Sequence, residues 1–369
     1  MRCLYYCTTP FQVLCAVNIC KNNTVASSET DVKSDIIIVN IFNKAQEISE
    51  KLQTLGLFDN IWIIAEEDVK TEINNKLIKG IYIFYDVIKP DRLLRKQFGL
   101  EDVSFLHSQY SIIISSIFSH PLANLRTINP DALFYMMDDG IGSYYGNIIT
   151  KLRSGFYRKL LMARNHGREI SIPDRILLYQ PDFYKGEFDQ QIDRIPPINS
   201  ELSRLTYKIF NNGEDSTAYE ESIIWLSQPT SDASGIRIVK DQASVMRAYK
   251  RETIVRLHPR DKDNPIYEGF TCDKSGDMWE LRIGKIKMEN KLLISFFSTA
   301  QFSPKLFYDY EPSIIFTYKM MDNKDERSMD TMVAELKKLY RDPSKIIVID
   351  KWIQMEDYIA NFLCDSNTR

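Results

Sequence analysis

The chain has 369 residues, 44% of them hydrophobic and 26% charged, which is enough to bury the cores of two domains of ordinary size. A net charge of −3 gives no reason to expect nucleic-acid binding, and the low counts of glycine and proline (14 each) exclude a collagen-like or low-complexity chain. The six cysteines form no CxxC pair and have no histidine nearby, so we expect reduced thiols in a cytosolic protein and no zinc site.

The apolar N-terminus is predicted to begin a folded domain and not to be a signal peptide. It carries one basic residue, and Thr8, Thr9 and Pro10 interrupt its apolar run. No run approaches the roughly 18 apolar residues that a membrane-spanning helix needs. We therefore expect a protein that is soluble or at most peripheral on a membrane.

The first half of the chain alternates strand patterns with helix patterns. Strands are predicted at 2–7, 34–42, 60–65 and 132–137. Helices are predicted at 10–22, 43–56, 91–100 and 108–125. Short and nearly continuous β-branched runs such as SDIIIVNIF are typical of buried parallel strands. This order predicts a parallel sheet covered by helices.

A second α/β unit follows a less periodic stretch, 183–222, where we place the linker. Its strands are predicted within 221–229, 252–260, 292–301, 312–318 and 344–350. Its helices are predicted at 244–250, 329–340 and 352–364. We therefore predict two domains, 1–200 and 201–369, with the last helix packing back on the first. Two Rossmann-type domains that face each other across a cleft form the architecture called GT-B.

Residues 151–168 form a basic amphipathic stretch, KLRSGFYRKLLMARNHGR. We favour a solvated helix whose apolar face packs on the domain. The alternative is a contact with an anionic membrane surface or an acidic acceptor glycolipid.

Asp138 and Asp139 follow a predicted buried strand and precede Gly140. Metal-dependent sugar transferases use Asp-x-Asp, in which alternate side chains share one side of an extended chain, whereas adjacent side chains point to opposite faces. A cation site is therefore disfavoured. We expect one carboxylate to act as a general base or to orient the substrate, and the other to cap the turn around Gly140.

The stretch RLHPR places His258 at the end of another predicted strand. Pro259 keeps the backbone of His258 out of the helical region, so the ring can be held there. With Arg256 and Arg260 it makes a candidate phosphate site, and a capping histidine in an exposed turn explains the pattern equally well. His120 also precedes proline, but no strand is predicted before it and we attribute that pair to chance.

Four further residues are weaker candidates. Ser298 and Thr299 end a buried strand and open a helix, where hydroxyls can bind phosphate oxygens or simply cap the helix. Asp232 lies in the loop after the WLSQP strand. It is a candidate base facing the cleft, but on sequence alone an ordinary turn aspartate is the favoured interpretation. Glu280 follows a tryptophan and suits ribose hydroxyls, but a partly buried helix residue is the favoured interpretation. The sequence contains no GxGxxG and no P-loop, so a nucleotide must be held by other means.

In combination these motifs resemble those of the bacterial sialyltransferases. That group shows a D/E-D/E-G motif, an HP motif and a Ser-Ser/Thr motif in this order, matched here by Asp138-Asp139-Gly140, His258-Pro259 and Ser298-Thr299. The opening CLYYCTTPFQVLCA and the stretch LSQP further resemble glycosyltransferase family 52, the lipooligosaccharide sialyltransferases. The one departure is a Ser-Thr pair in place of Ser-Ser, which keeps both hydroxyls.

The resemblance implies a GT-B fold, CMP-sialic acid as donor and a metal-independent inverting transfer, commonly to a galactose 3-hydroxyl of a lipooligosaccharide or capsule. No cofactor is required. The resemblance to family 52 implies Asp232 as the base, whereas in some other sialyltransferase families the aspartate of the D/E-D/E-G motif, here Asp138 or Asp139, takes this role. His258 is the group expected on the departing CMP phosphate. We expect donor contacts from Arg256, Pro259, Arg260, Glu280, Ser298 and Thr299. We expect acceptor-side or cleft positions at Thr9, Gln12, Asp138, Asp139 and Gly140.

Other functions stay open from the sequence. The chain fits a GT-B transferase with another donor, such as a glucosyl- or Kdo-transferase, and also a non-catalytic protein that binds sugars or nucleotides. The expected partners are a nucleotide-sugar donor and a galactose-terminated glycan, with a homodimer as one possible assembly and no nucleic acid. The expected location is the cytoplasm, including the inner face of a bacterial membrane.

Overall fold

The computed structural model describes residues 1–25, 31–65, 84, 88–116, 118–145, 155–210, 219–228, 233–258, 261, 265–275, 277–320 and 326–367. The chain divides into two compact units. The first unit comprises Met1–Pro196 with Arg204–Phe210, and the second unit comprises Pro197–Ser203 with Asn211–Arg369. In the part of the chain that the structure describes, no helix has the length and apolarity needed to cross a membrane.

The first unit is built on a parallel sheet of seven strands, counted over the described residues. The strands are β1 (Arg2–Cys7), β2 (Lys33–Val39), β3 (Asn60–Ile64), β4 (Ile112–Ser115), β5 (Leu133–Met137), β6 (Arg175–Leu178) and β7 (Ile192–Arg194). Their order is β3-β2-β1-β4-β5-β6-β7. The order reverses between β1 and β4. Ligands of open α/β sheets bind outside the carboxyl ends of strands at such a switch point.

The second unit repeats this plan with six described strands. They are β8 (Ile223–Leu226), β9 (Thr253–Arg256), β10 (Thr271–Asp273), β11 (Leu292–Ser295), β12 (Ser313–Phe316) and β13 (Ile346–Val348). Their parallel order is β10-β9-β8-β11-β12-β13, with the reversal between β8 and β11. The carboxyl ends of β8 and β11 are therefore where a ligand of this unit is expected.

Helices alternate with the strands. The α-helices of the described residues are α1 (Pro10–Lys21), α2 (Ala45–Leu55), α3 (Pro90–Phe98), α4 (His120–Ile128), α5 (Gly142–Tyr145), α6 (Gly155–Arg164), α7 (Ser200–Phe210), α8 (Ala233–Met246), α9 (Trp279–Ile283), α10 (Thr299–Tyr308), α11 (Glu326–Leu339) and α12 (Trp352–Asn367). The strands and helices predicted at 2–7, 10–22, 43–56, 60–65 and 132–137 are confirmed. Gly56 ends α2 in the left-handed conformation (φ +60°), as a C-terminal glycine should.

The cores explain the continuous apolar runs. Leu4 and Tyr5 of β1 are wholly buried because β1 is a central strand with helices on both faces. In the second unit, Trp225 of β8 packs edge-on against Tyr267 and Phe270, with ring centroids 5.0 and 5.5 Å away. The last helix contributes apolar side chains, among them Met355, to this same core.

One prediction about local structure is wrong. The stretch 108–125 is not one helix, because β4 (Ile112–Ser115) precedes α4. The run Ile112–Ile114 is buried between β1 and β5, and β-branched residues favour that environment over a helix. A strand therefore does precede the first His-Pro pair, at His120. The chain passes between the two units within 183–222, the stretch where we placed the linker, and this stretch also contains β7 and α7.

The basic stretch 151–168 is helical over Gly155–Arg164, and residues 151–154 lie outside the described residues. Leu161 is buried with Ala123 and Ile170, whereas Arg158 and Arg164 are exposed. For the described part this confirms the favoured interpretation, in which the apolar face packs on the domain and the charged face is solvated.

Candidate active site

The first unit gathers polar side chains at its switch point. Thr9 caps α1, its hydroxyl accepting the N–H of Gln12 at 3.2 Å. The side chain of Gln12 is fully buried, and its Oε1 accepts the backbone N–H of Thr8 at 2.7 Å and the Thr8 hydroxyl at 3.1 Å. The loop after β1 therefore holds the Gln12 amide in one orientation beside the end of β5.

Asp138 closes the turn after β5. Its carboxylate is wholly buried and accepts the N–H of Gly140 at 2.8 Å, the hydroxyl of Tyr144 and the N–H of Tyr179 at 3.3 Å. Gly140 has φ +86°, which a residue with a side chain rarely adopts. The prediction that one of the two aspartates caps the turn around Gly140 is confirmed. Tyr144 and Tyr179 were not predicted, because they reach Asp138 from α5 and from the end of β6.

Asp139 is partly exposed. Its backbone N–H donates to the Ser143 hydroxyl at 2.7 Å. Burial raises the pKa of Asp139 to about 6, although the neighbouring Gln12 amide lowers it. A carboxylate with a pKa near neutrality suits proton abstraction or tight acceptor binding. The structure thus brings together Thr9, Gln12 and both aspartates, the positions predicted for the acceptor side.

Removing the Tyr144 hydroxyl should destabilise the protein more at high pH than at low pH. Burial raises the pKa of Asp138 to about 7, while the Tyr144 hydroxyl and the Gly140 and Tyr179 amides lower it. Hydrogen bonds to charged groups are worth about 1.5–3 kcal/mol and neutral ones about half of that. Urea unfolding of Tyr144→Phe should therefore show a larger loss at pH 8, where Asp138 is ionised, than at pH 5.5. An equal loss at both values would contradict the assignment.

At the switch point of the second unit, the loop after β8 forms hydrogen bonds to the segments that carry two of the sequence motifs. Ser227 follows β8, and its hydroxyl accepts the backbone N–H of His258 at 2.8 Å. The next side chain, Gln228, accepts the N–H of Phe297 at 2.9 Å and donates to the Phe297 carbonyl. The LSQ stretch therefore lies between the histidine motif after β9 and the hydroxyl motif after β11, and it holds both. This clamp was not predicted, because its partners are 31 and 69 residues away in sequence.

Ser298 and Thr299 open α10. The Ser298 hydroxyl accepts the N–H of Ala300 at 3.3 Å, and the Gln301 side chain accepts the N–H of Ser298 at 3.1 Å. This is a capping box, which the sequence STAQ encodes at the required spacing. Thr299 is exposed. The helix-cap interpretation of Ser298 is therefore confirmed. It does not conflict with phosphate binding, since the serine O–H and the helix N-terminus both favour an anion.

Arg256 belongs to a buried ionic cluster at the end of β9. Its guanidinium donates to Asp273 at 2.5 Å, to the Ser275 hydroxyl at 3.2 Å and to the carbonyl of Asp277. Tyr219 donates to the same Asp273 carboxylate at 2.6 Å. Burial alone would raise the pKa of Asp273, but the Arg256 charge and these donors lower it to about 2. Arg256 was predicted to contact the nucleotide-sugar donor. Its guanidinium already binds a carboxylate and a carbonyl of the protein.

Glu280 lies in α9 and contacts α10. Its carboxylate accepts the Ser303 hydroxyl at 3.4 Å, and burial raises its pKa. The preceding indole, of Trp279, donates to the Ala300 carbonyl at 2.8 Å. These contacts agree with the favoured interpretation, in which Glu280 is a residue of a partly buried helix. Three predicted site residues, Asp232, Pro259 and Arg260, lie outside the described residues.

Comparison with solved structures identifies the architecture. The glycotransferase of kitacinnamycin superimposes with a TM-score of 0.51 at 8% sequence identity, covering 95% of this chain and 86% of that one. The chain has a GT-B-like fold. This fold agrees with the two parallel sheets described above, and the predicted fold class is confirmed in that respect. At this identity the likeness concerns the fold alone.

Two other solved structures are similar at a lower level. The glycosyltransferase VinC in complex with dTDP gives a TM-score of 0.48 at 9% identity, covering 98% of this chain and 91% of its own. A putative UDP-N-acetylglucosamine 2-epimerase from Listeria monocytogenes gives 0.46 at 9% identity, with coverages of 89% and 82%. No family model matches the sequence, and a search of curated proteins gives no match.

Proposed function

We propose that this GT-B-like protein is an inverting sialyltransferase that moves sialic acid from CMP-sialic acid to a terminal galactose of a surface glycan, forming an α2,3 linkage. The observation that carries the proposal is the clamp at the second switch point. Ser227 and Gln228 hold the histidine of the HP motif and the loop that opens the Ser-Thr motif on either side of one strand end. Two motifs that the sialyltransferase resemblance pairs are thus positioned by the same loop.

The clamp supports a donor phosphate site in this unit. The hydroxyls of Ser298 and Thr299 and the N-terminus of α10 provide hydrogen-bond donors and partial positive charge for the CMP phosphate. His258 donates to the same phosphate as it departs. Arg260 and Pro259 complete the proposed donor contacts, and Glu280, which accepts the Ser303 hydroxyl of α10, is assigned to the ribose. Arg256 supports the loop after β9 through Asp273.

The proposed reaction is a single displacement. The oxygen of the galactose 3-hydroxyl forms a bond to C2 of the sialyl residue while the bond from C2 to the phosphate oxygen breaks. Both electrons of that bond leave with CMP. Asp232 takes the acceptor proton, and general-base assistance of this kind is worth about 10²- to 10⁴-fold. Asp139, Gln12 and Thr9 orient the acceptor, and Asp138 fixes the turn that carries Asp139.

Thermal unfolding in the presence of CMP, UDP and CMP-sialic acid tests the donor class. The proposal predicts stabilisation by CMP and CMP-sialic acid and none by UDP, because ligands that bind only the folded state raise its stability. Stabilisation by UDP alone would instead indicate a GT-B transferase with another donor. Binding of CMP-sialic acid without hydrolysis or transfer would indicate a non-catalytic binding protein.

Replacing His258 with alanine should lower the turnover number about 10²-fold, with little change in fold. The loss is the size expected when one donor to a developing anion is removed. The fold should survive because the bond to Ser227 is made by the backbone N–H, which alanine keeps. His120→Ala is the matched control, since His120 also precedes proline but begins a helix of the first unit. Equal losses in both variants would contradict a specific role for His258.

A further inference from the structure

The buried side chain of Gln12 has an amide nitrogen without a partner. Thr8 binds the amide oxygen through its backbone N–H and its hydroxyl, but no described residue accepts a hydrogen bond from Nε2. The side chain has no exposed surface. A buried donor without a partner costs folding free energy, and a catalytic or binding role is one of the reasons for which a fold keeps such a group.

The second unit contains the same arrangement in a satisfied form. Helix α10 begins with the sequence STAQ and α1 begins within TPFQ, so a capping residue precedes a wholly buried glutamine by three positions in both helices. In α10 the oxygen of Gln301 accepts the N–H of Ser298 at 3.1 Å, and its Nε2 donates to the carbonyl of Ile315 at 2.9 Å. A glutamine at this position can therefore be fully bonded by its own unit, and the open donor of Gln12 is a property of the first unit.

The carboxylate of Asp139 is the acceptor that lies beside this donor. Burial raises the pKa of Asp139, and the Gln12 amide is close enough to lower it. Asp139 is partly exposed, whereas Gln12 is not exposed at all. A ligand can therefore reach the carboxylate and not the amide, so Gln12 acts on a ligand only through Asp139.

We propose that Gln12 is a positioning residue, whose Nε2 holds one oxygen of the Asp139 carboxylate and leaves the other oxygen for a hydroxyl of the acceptor. The inference rests on the proposed function, because it takes the ligand of Asp139 to be a hydroxyl-bearing acceptor. Thr8 fixes the amide, and the turn that Asp138 closes fixes the backbone of Asp139. A carboxylate held in this way loses less conformational freedom when it binds a hydroxyl.

The other titratable groups near Asp139, among the described residues, come from three elements. Asp138 precedes it in the turn after β5, Cys7 ends β1 and Cys15 lies in α1. Burial first, and then the charge of the neighbouring aspartates, raises the pKa of both thiols well above the usual range, so they stay neutral near pH 7. Asp138, with a pKa of about 7, titrates in the same range as Asp139. The titrations of the two aspartates must therefore be followed together.

The kinetics of Gln12→Met and of Gln12→Met/Asp139→Asn test the inference. Methionine keeps the length of the side chain and removes the donor. The KM for acceptor should rise about tenfold in Gln12→Met with little change in turnover number, since one hydrogen bond to a charged group is lost. The double variant should show no larger KM than Asp139→Asn alone, because Gln12 acts through that carboxylate.

Gln242→Met is the matched control. Gln242 is also buried, and no described residue accepts a hydrogen bond from its Nε2, but it belongs to α8 of the second unit. Its replacement should leave the KM for acceptor at the value of the parent chain. An equal rise in KM in this control would assign the effect to general destabilisation and overturn the inference.

A titration of Asp139 by NMR of carbon-labelled aspartate tests the contact without relying on transfer. Loss of the Gln12 donor should raise the pKa of Asp139 above its parent value of about 6 and change that of Asp138 less. If the parent chain transfers no sialic acid, the proposed function fails, and this titration alone decides the inference.

Three further results would overturn the inference. They are a parent-like KM for acceptor in Gln12→Met, losses that multiply in the double variant, and an unchanged titration of Asp139. If Gln12→Met does not fold, as judged by circular dichroism, Gln12→Glu replaces it, because its carboxyl oxygen still accepts from Thr8 while no amide donor remains. A second carboxyl group beside Asp139 should raise both the pKa of Asp139 and the KM for acceptor, the latter by more than about tenfold.

Discussion

Replacing Asp232 with alanine should reduce the rate of sialyl transfer by about 10²- to 10⁴-fold while CMP still stabilises the protein. The reason is that a base acts on the acceptor proton in the transition state and makes no contact with the nucleotide. The measurement is the turnover number with CMP-sialic acid and a galactose-terminated acceptor, together with thermal stabilisation by CMP. Full activity in Asp232→Ala would contradict the assignment of the base.

Asp139 is the competing base, and Asp139→Asn is the decisive companion variant. Its pKa of about 6 would let it act as a base at neutral pH, with activity rising as the pH is raised through that value. The proposal assigns Asp139 to acceptor orientation instead, so Asp139→Asn should mainly raise the KM for acceptor, about tenfold. Loss of turnover in Asp139→Asn with retention in Asp232→Ala would exchange the two roles.

Replacing Asp273 with alanine should lower the free energy of unfolding by about 3–5 kcal/mol, the largest stability effect we expect. Asp273 is almost fully buried and accepts hydrogen bonds from Arg256 and Tyr219. Arg282, itself buried, lies 3.9 Å from the same carboxylate. Removal of Asp273 leaves the buried Arg256 charge without this carboxylate, while Arg282 keeps its ion pair with Asp277. Urea unfolding measures the loss, and Asp193→Ala is the control, since the pair of Asp193 with Arg175 is partly exposed and should be worth less than about 1 kcal/mol.

The Asp273 cluster also predicts a pH dependence. A carboxylate whose pKa is lowered to about 2 in the folded state stabilises the protein at pH values above the unfolded value of about 4. That contribution is lost as the pH falls from about 4 to about 2. The stability of the parent chain should therefore fall more steeply in this window than that of Asp273→Ala. Parallel curves would contradict an ionised Asp273.

The α/β order was predictable because local rules decide it. The strand at Arg2–Cys7 and the helix after Pro10 follow from an apolar run and a proline at the first turn. The error at 108–125 arose because a four-residue strand, β4, is followed almost directly by a helix. In such a short apolar run, helix and strand patterns cannot be separated without knowledge of the neighbouring strands.

In the candidate site, too, the contacts between residues close in sequence were predictable and the contacts between distant residues were not. The turn that Asp138 closes on Gly140 spans two residues and was predicted, and the capping box of Ser298 and Gln301 was encoded at a fixed spacing. The partners of Gln228 and Arg256 were not predictable. They lie on other strands or in the loops that follow them, and one of these strands, β10, has only three residues and was missed. Long-range polar contacts depend on sheet order, which strand patterns alone do not determine.

The most direct test of the proposed function is to incubate the protein with CMP-sialic acid and a galactose-terminated acceptor and to identify the product by NMR. We expect release of one CMP for each sialic acid transferred and an α2,3-linked sialoside, with the rate reduced about 10²-fold in His258→Ala and unchanged in His120→Ala. No transfer from CMP-sialic acid to any galactose-terminated acceptor, together with transfer from a UDP- or dTDP-sugar, would contradict the proposed function and leave only the GT-B-like fold.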